Sequence, residues 1–249
     1  ETGFGTGLNF LLTWQLWLEL PEPRPHLHFL SIEKHPLGKD DLRRALADWP
    51  ELEVQAAALI DYYPHPIPGQ HRIVLEGGKL TLDLWWEDAG DALAELAGQN
   101  LAAVDAWYLD GFSPNRNQDM WTERIFACMA ASSRKDATFA TFTAASNVRR
   151  ALLNVGFSVS KLPGFGKKRE SLHGQFKGQT ALPVINQPKQ KRETPWHLRS
   201  YSPTAPNTAI VLGAGLAGCT VAAALARRGV NVVIIERGSV ANAGSGNDQ

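Results

Sequence analysis

Cysteine, methionine and long apolar runs are all scarce in this sequence. It has two cysteines and two methionines in 249 residues. Cys128 and Cys219 lie far apart and match no metal-ligand spacing. They read as two buried, reduced thiols in a cytosolic protein, not as a disulfide or a catalytic pair, and no metal is expected. No stretch approaches the roughly 18 consecutive apolar residues that a membrane helix requires, so a membrane partner is not expected. The largely apolar stretches 209–212 and 230–235 are strand-sized. No secretory signal is visible, and a cytoplasmic location is expected. Net charge is also lacking: 25 basic residues balance 25 acidic ones. That zero hides an asymmetry, because residues 1–110 carry eighteen acids against seven bases and residues 111–249 the reverse. A basic second half suits either a polyanion-binding face or an unevenly solvated surface.

What the chain does have is glycine at both ends. Glu1-Thr2-Gly3-Phe4-Gly5-Thr6-Gly7 opens it, and Gly213-Ala214-Gly215-Leu216-Ala217-Gly218 comes near its close. Such turns between a strand and a helix let a nucleotide approach the backbone. The strand that should feed the first loop is represented by Glu1 alone, and little follows the second, so the chain is expected to be a piece of a longer protein. Between the loops the pattern alternates. Helices are expected at 8–20, 40–47 (capped by Asp40 or Asp41), 89–96, 121–132 and 145–155. Strands are expected at 26–32, 106–109, 138–142, 157–162 and 171–177, with a hairpin at 73–75 and 80–86. This is an α/β chain with a doubly wound sheet. Prolines and absent periodicity over 183–207 predict a linker between a domain at 1–182 and another starting at 208.

The second loop sits in a full strand–loop–helix–strand–acid context: a buried strand at 208–212, a helix at 219–228, a strand at 230–235 and then Glu236. Gly213 permits the turn, Gly215 admits a pyrophosphate and Gly218 lets the helix approach the strand. Glu236 would accept from ribose hydroxyls. FAD and NAD both use this unit. The tail 243–249, with Ser245 and Asn247, resembles the flavin loop of D-amino-acid-oxidase-like oxidoreductases, which favours FAD.

The first loop, an acid followed by Gly-x-Gly-x-Gly, resembles motif I of class I S-adenosylmethionine methyltransferases. Glu1, Gly3, Gly5 and Gly7 would line the cofactor, Glu33 would hold its ribose hydroxyls and Asp88 its adenine amino group. Asp110 ends the central strand at the carboxyl edge, where ligands of open α/β sheets sit. Residues 1–10, Ile32-Glu33-Lys34-His35-Pro36-Leu37, Tyr108-Leu109-Asp110-Gly111-Phe112-Ser113-Pro114, Asn117-Gln118-Asp119-Met120-Trp121 and Gly164-Phe165-Gly166-Lys167-Lys168-Arg169-Glu170 together resemble the bifunctional tRNA 5-methylaminomethyl-2-thiouridine biosynthesis family. The resemblance implies a class I methyltransferase domain followed by the first β-α-β unit of a FAD-binding Rossmann domain. It also implies two consecutive steps on a wobble uridine, removal of a carboxymethyl group by the oxidase half and methylation of the resulting amine.

Methyl transfer to an amine needs a positioned lone pair and a proton acceptor. Asp110 is the expected acceptor, with Phe112, Pro114 and Trp121 as an apolar wall. Phe165, Phe112 and Tyr108 are candidates to stack on a splayed base. Lys167, Lys168 and Arg169 would meet the phosphates of the tRNA anticodon loop, whereas Arg149 and Arg150 suit a solvated helix surface. Two alternatives remain open at this point: a small-molecule amine or carboxylate methyltransferase fused to an unrelated flavoprotein, and a remnant that binds cofactor or RNA without turnover.

Overall fold

The computed structural model describes residues 1–99, 102–164, 169–178 and 208–240. The chain forms two compact units. The first takes the described residues among 1–19, 30–71 and 83–193, and the second those among 20–29, 72–82 and 194–249.

The elements alternate as the sequence predicts, beginning with α1 (Leu8–Leu18), β1 (Leu27–Ile32), α2 (Lys39–Leu46), α3 (Glu53–Tyr62), β2 (Gly69–Leu75), β3 (Leu80–Trp86) and α4 (Ala89–Gly98). After these come β4 (Val104–Leu109), α5 (Glu123–Ser132), β5 (Ser133–Thr141), α6 (Ser146–Asn154), β6 (Phe157–Pro163) and β7 (Glu170–Phe176). One sheet has the order β1-β3-β2 and another β4-β5-β7-β6. β4 and β5 are parallel, while β7 runs antiparallel to both β5 and β6. Thr2 joins the two sheets, bridging in parallel to Ile32 on one side and Leu109 on the other. The strand order around that one-residue seam is that of a doubly wound α/β domain, with ligand-binding loops at the carboxyl edge.

Periodicity explains what is buried. On β3, Leu80, Leu82, Leu84, Trp85 and Trp86 are all buried, as expected of a strand covered on both faces. The α5 helix is buried from Ile125 to Ala130. Each such side chain contributes about 1.5–3 kcal/mol on leaving water.

Several expectations are corrected. Asp40 and Asp41 do not cap α2; Gly38 occupies the N-cap, and the two acids sit in the first turn, paired with Arg43 and Arg44. α5 begins after Thr122, whose hydroxyl accepts from the Ile125 amide, so Trp121 belongs to a preceding 3-10 turn and not to the helix. α3 has no counterpart in the sequence reading. Its segment mixes apolar and small residues all round, and Ala56, Leu59 and Ile60 are buried without a clear stripe to announce them.

The second unit contains β8 (Thr208–Leu212), α7 (Leu216–Ala226) and β9 (Asn231–Ile235), with β8 parallel to β9. β8 was expected to be buried, but Ile210 is 64% exposed and Leu212 79%. Even with α7 packed against it, a two-stranded sheet leaves much of its apolar surface open among the described residues. Cys219 is likewise only half-buried, unlike the buried Cys128, and both are free thiols.

Among the described residues no helix is long and apolar enough to cross a membrane. No group of three or more His, Cys, Asp or Glu among them is arranged to hold a metal ion.

Candidate functional site

The first glycine loop is shaped by positive φ and close approach. Gly3 has φ +88°, and a Cβ there would lie 2.7 Å from the Gly111 Cα, so the loop and the β4 edge meet backbone to backbone. Gly5, also at positive φ, would place a Cβ where no atom lies within 4 Å. It therefore borders open space, a cradle that fits a ligand lying along the loop. Gly7 is the N-cap of α1.

Of the strand-end acids, Glu33 and Asp110 meet the loop or the helix it opens, while Asp88 meets residues 34 and 90. Glu33, just past β1, accepts the Gly5 amide at 3.2 Å and the His35 amide at 2.8 Å. Asp88 caps α4 through the Gly90 amide at 2.9 Å and pairs with Lys34 at 3.1 Å. Burial pushes its pKa upward, but these bonds outweigh that and hold it below the usual range. Asp110 follows β4 and accepts the Gly111 amide at 2.8 Å.

Glu1 differs from the others. It is only 7% exposed, and its two oxygens accept from Ser31 Oγ at 2.6 Å and Asn9 Nδ2 at 2.8 Å. Burial raises its pKa to about 7, although those hydrogen bonds and the amino group of residue 1 pull it down. It lies behind the loop, turned toward protein donors. The Asn9 amide also donates to Asp110 Oδ2 at 3.0 Å.

Asp110 opens onto a cleft of about 830 Å³ whose lining includes Phe112, Arg116, Phe142 and Ser171. Phe112 is 55% exposed. Pro114 and Trp121, expected beside it, are buried and do not line this cleft. Trp121 supports it from beneath: its indole N–H donates to the Phe112 carbonyl at 3.0 Å, and its ring meets Phe142 edge-on at 6.2 Å. Tyr108 is half-buried, with its hydroxyl 3.0 Å from Thr13 Oγ1. Arg169 is exposed, and its carbonyl accepts the Gly164 amide at 3.1 Å. Arg149 and Arg150 are exposed on α6. Phe165, Lys167 and Lys168 lie outside the described residues, as do Ser245 and Asn247.

The sequence reading missed Asn9, Arg116 and Phe142. Asn9 left one signal, an amide in the first turn of a mostly apolar helix. The other two reach the site through long-range folding and had no local signature.

In the second unit the loop is formed in the same manner. Gly213, at φ +94°, faces open space, Gly215 caps α7, and a Cβ at Gly218 would lie 1.9 Å from the Gly213 carbonyl oxygen. Glu236 accepts the Ala214 amide at 2.6 Å and the Gly238 amide at 3.0 Å. Those backbone bonds lower its pKa. An open turn, a helix N-terminus and a strand-end acid suit a dinucleotide such as FAD.

Residues 50–177 match the S-adenosyl-L-methionine-dependent methyltransferase family model, and 208–249 match that of the FAD-dependent oxidoreductases. The chain is similar throughout to tRNA 5-methylaminomethyl-2-thiouridine biosynthesis bifunctional proteins MnmC. It is 46% identical to that of Stutzerimonas stutzeri over 250 residues, covering 100% of the chain and 36% of the relative. The corresponding figures are 47% over 249 residues, 100% and 34% for Chromohalobacter salexigens, and 42% over 259 residues, 100% and 38% for Legionella pneumophila strain Lens. The chain thus spans little more than a third of the length of these relatives. The crystal structure of MNMC2 from Aquifex aeolicus shares the fold, with TM-score 0.54 and 24% identity over 71% of this chain and 52% of that one.

Proposed function

Because the chain belongs to the S-adenosyl-L-methionine-dependent methyltransferase family, we propose that it methylates the 5-aminomethyl nitrogen of a wobble uridine in tRNA. The segment from residue 208 begins a FAD-dependent half, which in the whole protein removes a carboxymethyl group from that nitrogen in the preceding step. The names of the relatives support the substrate. The observation that carries the reading is the cleft at Asp110, with Phe112, Phe142 and Arg116 on its walls and the glycine loop at its edge.

The cofactor, when bound, supplies a methyl group activated on a sulfonium. Glu33 would hold its ribose hydroxyls and Asp88 its adenine amino group. Gly5 leaves open the space in which it would lie, while Gly3 lets the loop meet the Gly111 backbone. Glu236 would serve the ribose of FAD in the same way, beside the turn of Gly213, Gly215 and Gly218.

The remaining work falls to the chain's own side chains. An alkylamine is mostly protonated at neutral pH, so it must arrive or become neutral before its lone pair can react. The nitrogen sheds a proton as it gains a carbon, and the Asp110 carboxylate receives that proton and passes it to water. Phe112 and Phe142 stack against the splayed base. Arg116 and Arg169 meet flanking phosphates, joined by Lys167 and Lys168.

Methyl incorporation into tRNA lacking the modification tests the proposal, with small amines and carboxylates as competing acceptors. Incorporation into tRNA with an affinity that falls steeply with salt is expected, at a log–log slope on the order of −0.7 for each single-strand phosphate contact. Methylation of small acceptors alone, or salt-insensitive binding, overturns it.

A further inference from the structure

Between the acid that opens the glycine loop and the acid that ends β4 there is a single amide. Asn9 Nδ2 lies 2.8 Å from Glu1 Oε1 and 3.0 Å from Asp110 Oδ2, so its two N–H groups each serve a different carboxylate. The outer oxygens are also held, Glu1 by Ser31 Oγ at 2.6 Å and Asp110 by the Gly111 amide at 2.8 Å. Among the described residues no lysine or arginine pairs with either acid. The charged groups acting on Glu1 are Asp110 and the amino group of residue 1.

Two carboxylates this close in one partly buried site repel, and one of them tends to keep a proton. A donor shared between them relieves this repulsion. Asn9 is well placed for the task independently of its own side chain. The Thr13 hydroxyl donates to the Asn9 carbonyl at 2.6 Å and lies 3.0 Å from the Tyr108 hydroxyl, which links this turn of α1 to β4.

We propose that Asn9 is a positioning residue: its amide holds Asp110 oriented and separated from Glu1, so that Asp110 can accept the proton of the reacting amine. This rests on the reading of Asp110 given above. Losing the amide would let the two acids share a proton, and Asp110 would then be a poor acceptor near neutral pH.

The test compares the parent chain with Asn9→Leu, Glu1→Gln and the double variant. The first readout is the side-chain carboxyl ¹³C titration of Glu1, which needs no activity. It should move to higher pH in Asn9→Leu, by about one unit. The second readout is single-turnover methyl transfer to undermodified tRNA as a function of pH. The acidic limb should move upward in Asn9→Leu and return toward the parent position in Asn9→Leu/Glu1→Gln, because removing the second charge removes the competition. An unmoved Glu1 titration, or a rate loss that is uniform with pH and unrelieved by Glu1→Gln, overturns the proposal. If Asn9→Leu does not fold, Asn9→Ser, which retains one donor where two are needed, should show the same shifts at smaller size. A parent chain that transfers no methyl to tRNA defeats the functional reading, while the Glu1 titration still decides the role of Asn9.

Discussion

The Gly5 amide donates to the Glu33 carboxylate at 3.2 Å, so the acid that ends β1 holds the loop beside which a ligand would lie. On the proposed reading the same group would also take the ribose hydroxyls. Replacing Glu33 by Ala should weaken S-adenosylmethionine binding about 10- to 100-fold, the worth of hydrogen bonds to a charged group. Isothermal titration calorimetry checks this, and unchanged affinity would remove Glu33 from the site.

Asp110→Asn preserves shape but cannot take up a proton from the amine. Single-turnover methyl transfer should fall by about 100- to 10,000-fold, the usual range for general acid–base groups. Cofactor affinity should stay close to that of the parent. Parent-like transfer would show that solvent alone receives the proton.

Glu1 makes stability depend on pH in an uncommon direction for a carboxylate. Its pKa is raised by burial from 4.5 to about 7. Below pH 4.5 it is protonated whether the chain is folded or unfolded. Between the two values only the folded chain holds the proton, so stability should fall as pH rises through that window, by up to about 3 kcal/mol. Denaturant titrations at pH 4.5 and 7.5 check this against Glu1→Gln, which should be flatter. A parent that gains stability over this range relative to Glu1→Gln would contradict the assignment.

Gly3→Ala combines a left-handed backbone, at φ +88°, with a Cβ 2.7 Å from the Gly111 Cα. Backbone strain alone should cost about 1–3 kcal/mol, and relief requires the residue after Asp110 to move. Thermal stability and methyl transfer should therefore fall together. A stable Gly3→Ala chain with parent activity would mean that the loop and the β4 edge are independent.

Much of this site is legible in the sequence because each acid directly follows a short apolar run. Glu33 and Asp110 announce themselves as strand ends, as does Glu236 in the second unit. What surrounds them is less legible. Asn9 meets Asp110 across 101 residues, and Arg116 and Phe142 enter the cleft only because β4 and β5 are neighbours. Pro114 and Trp121 have the right chemistry for an apolar wall, but packing spends them underneath it. α3 escapes notice because its buried residues form no stripe, and the exposure of β8 reflects missing neighbours that no local pattern can reveal.

Thr2 pairs with Ile32 on one side and Leu109 on the other, and the next residues along those strands are Glu33 and Asp110. Neighbouring strands lie roughly 4.8 Å apart, so β1 and β4 are held about 10 Å apart across that single residue. The sheet acts as a ruler. The separation between the acid assigned to the ribose and the acid assigned to the amine follows from hydrogen-bond spacing, and no side-chain substitution can retune it without breaking the seam.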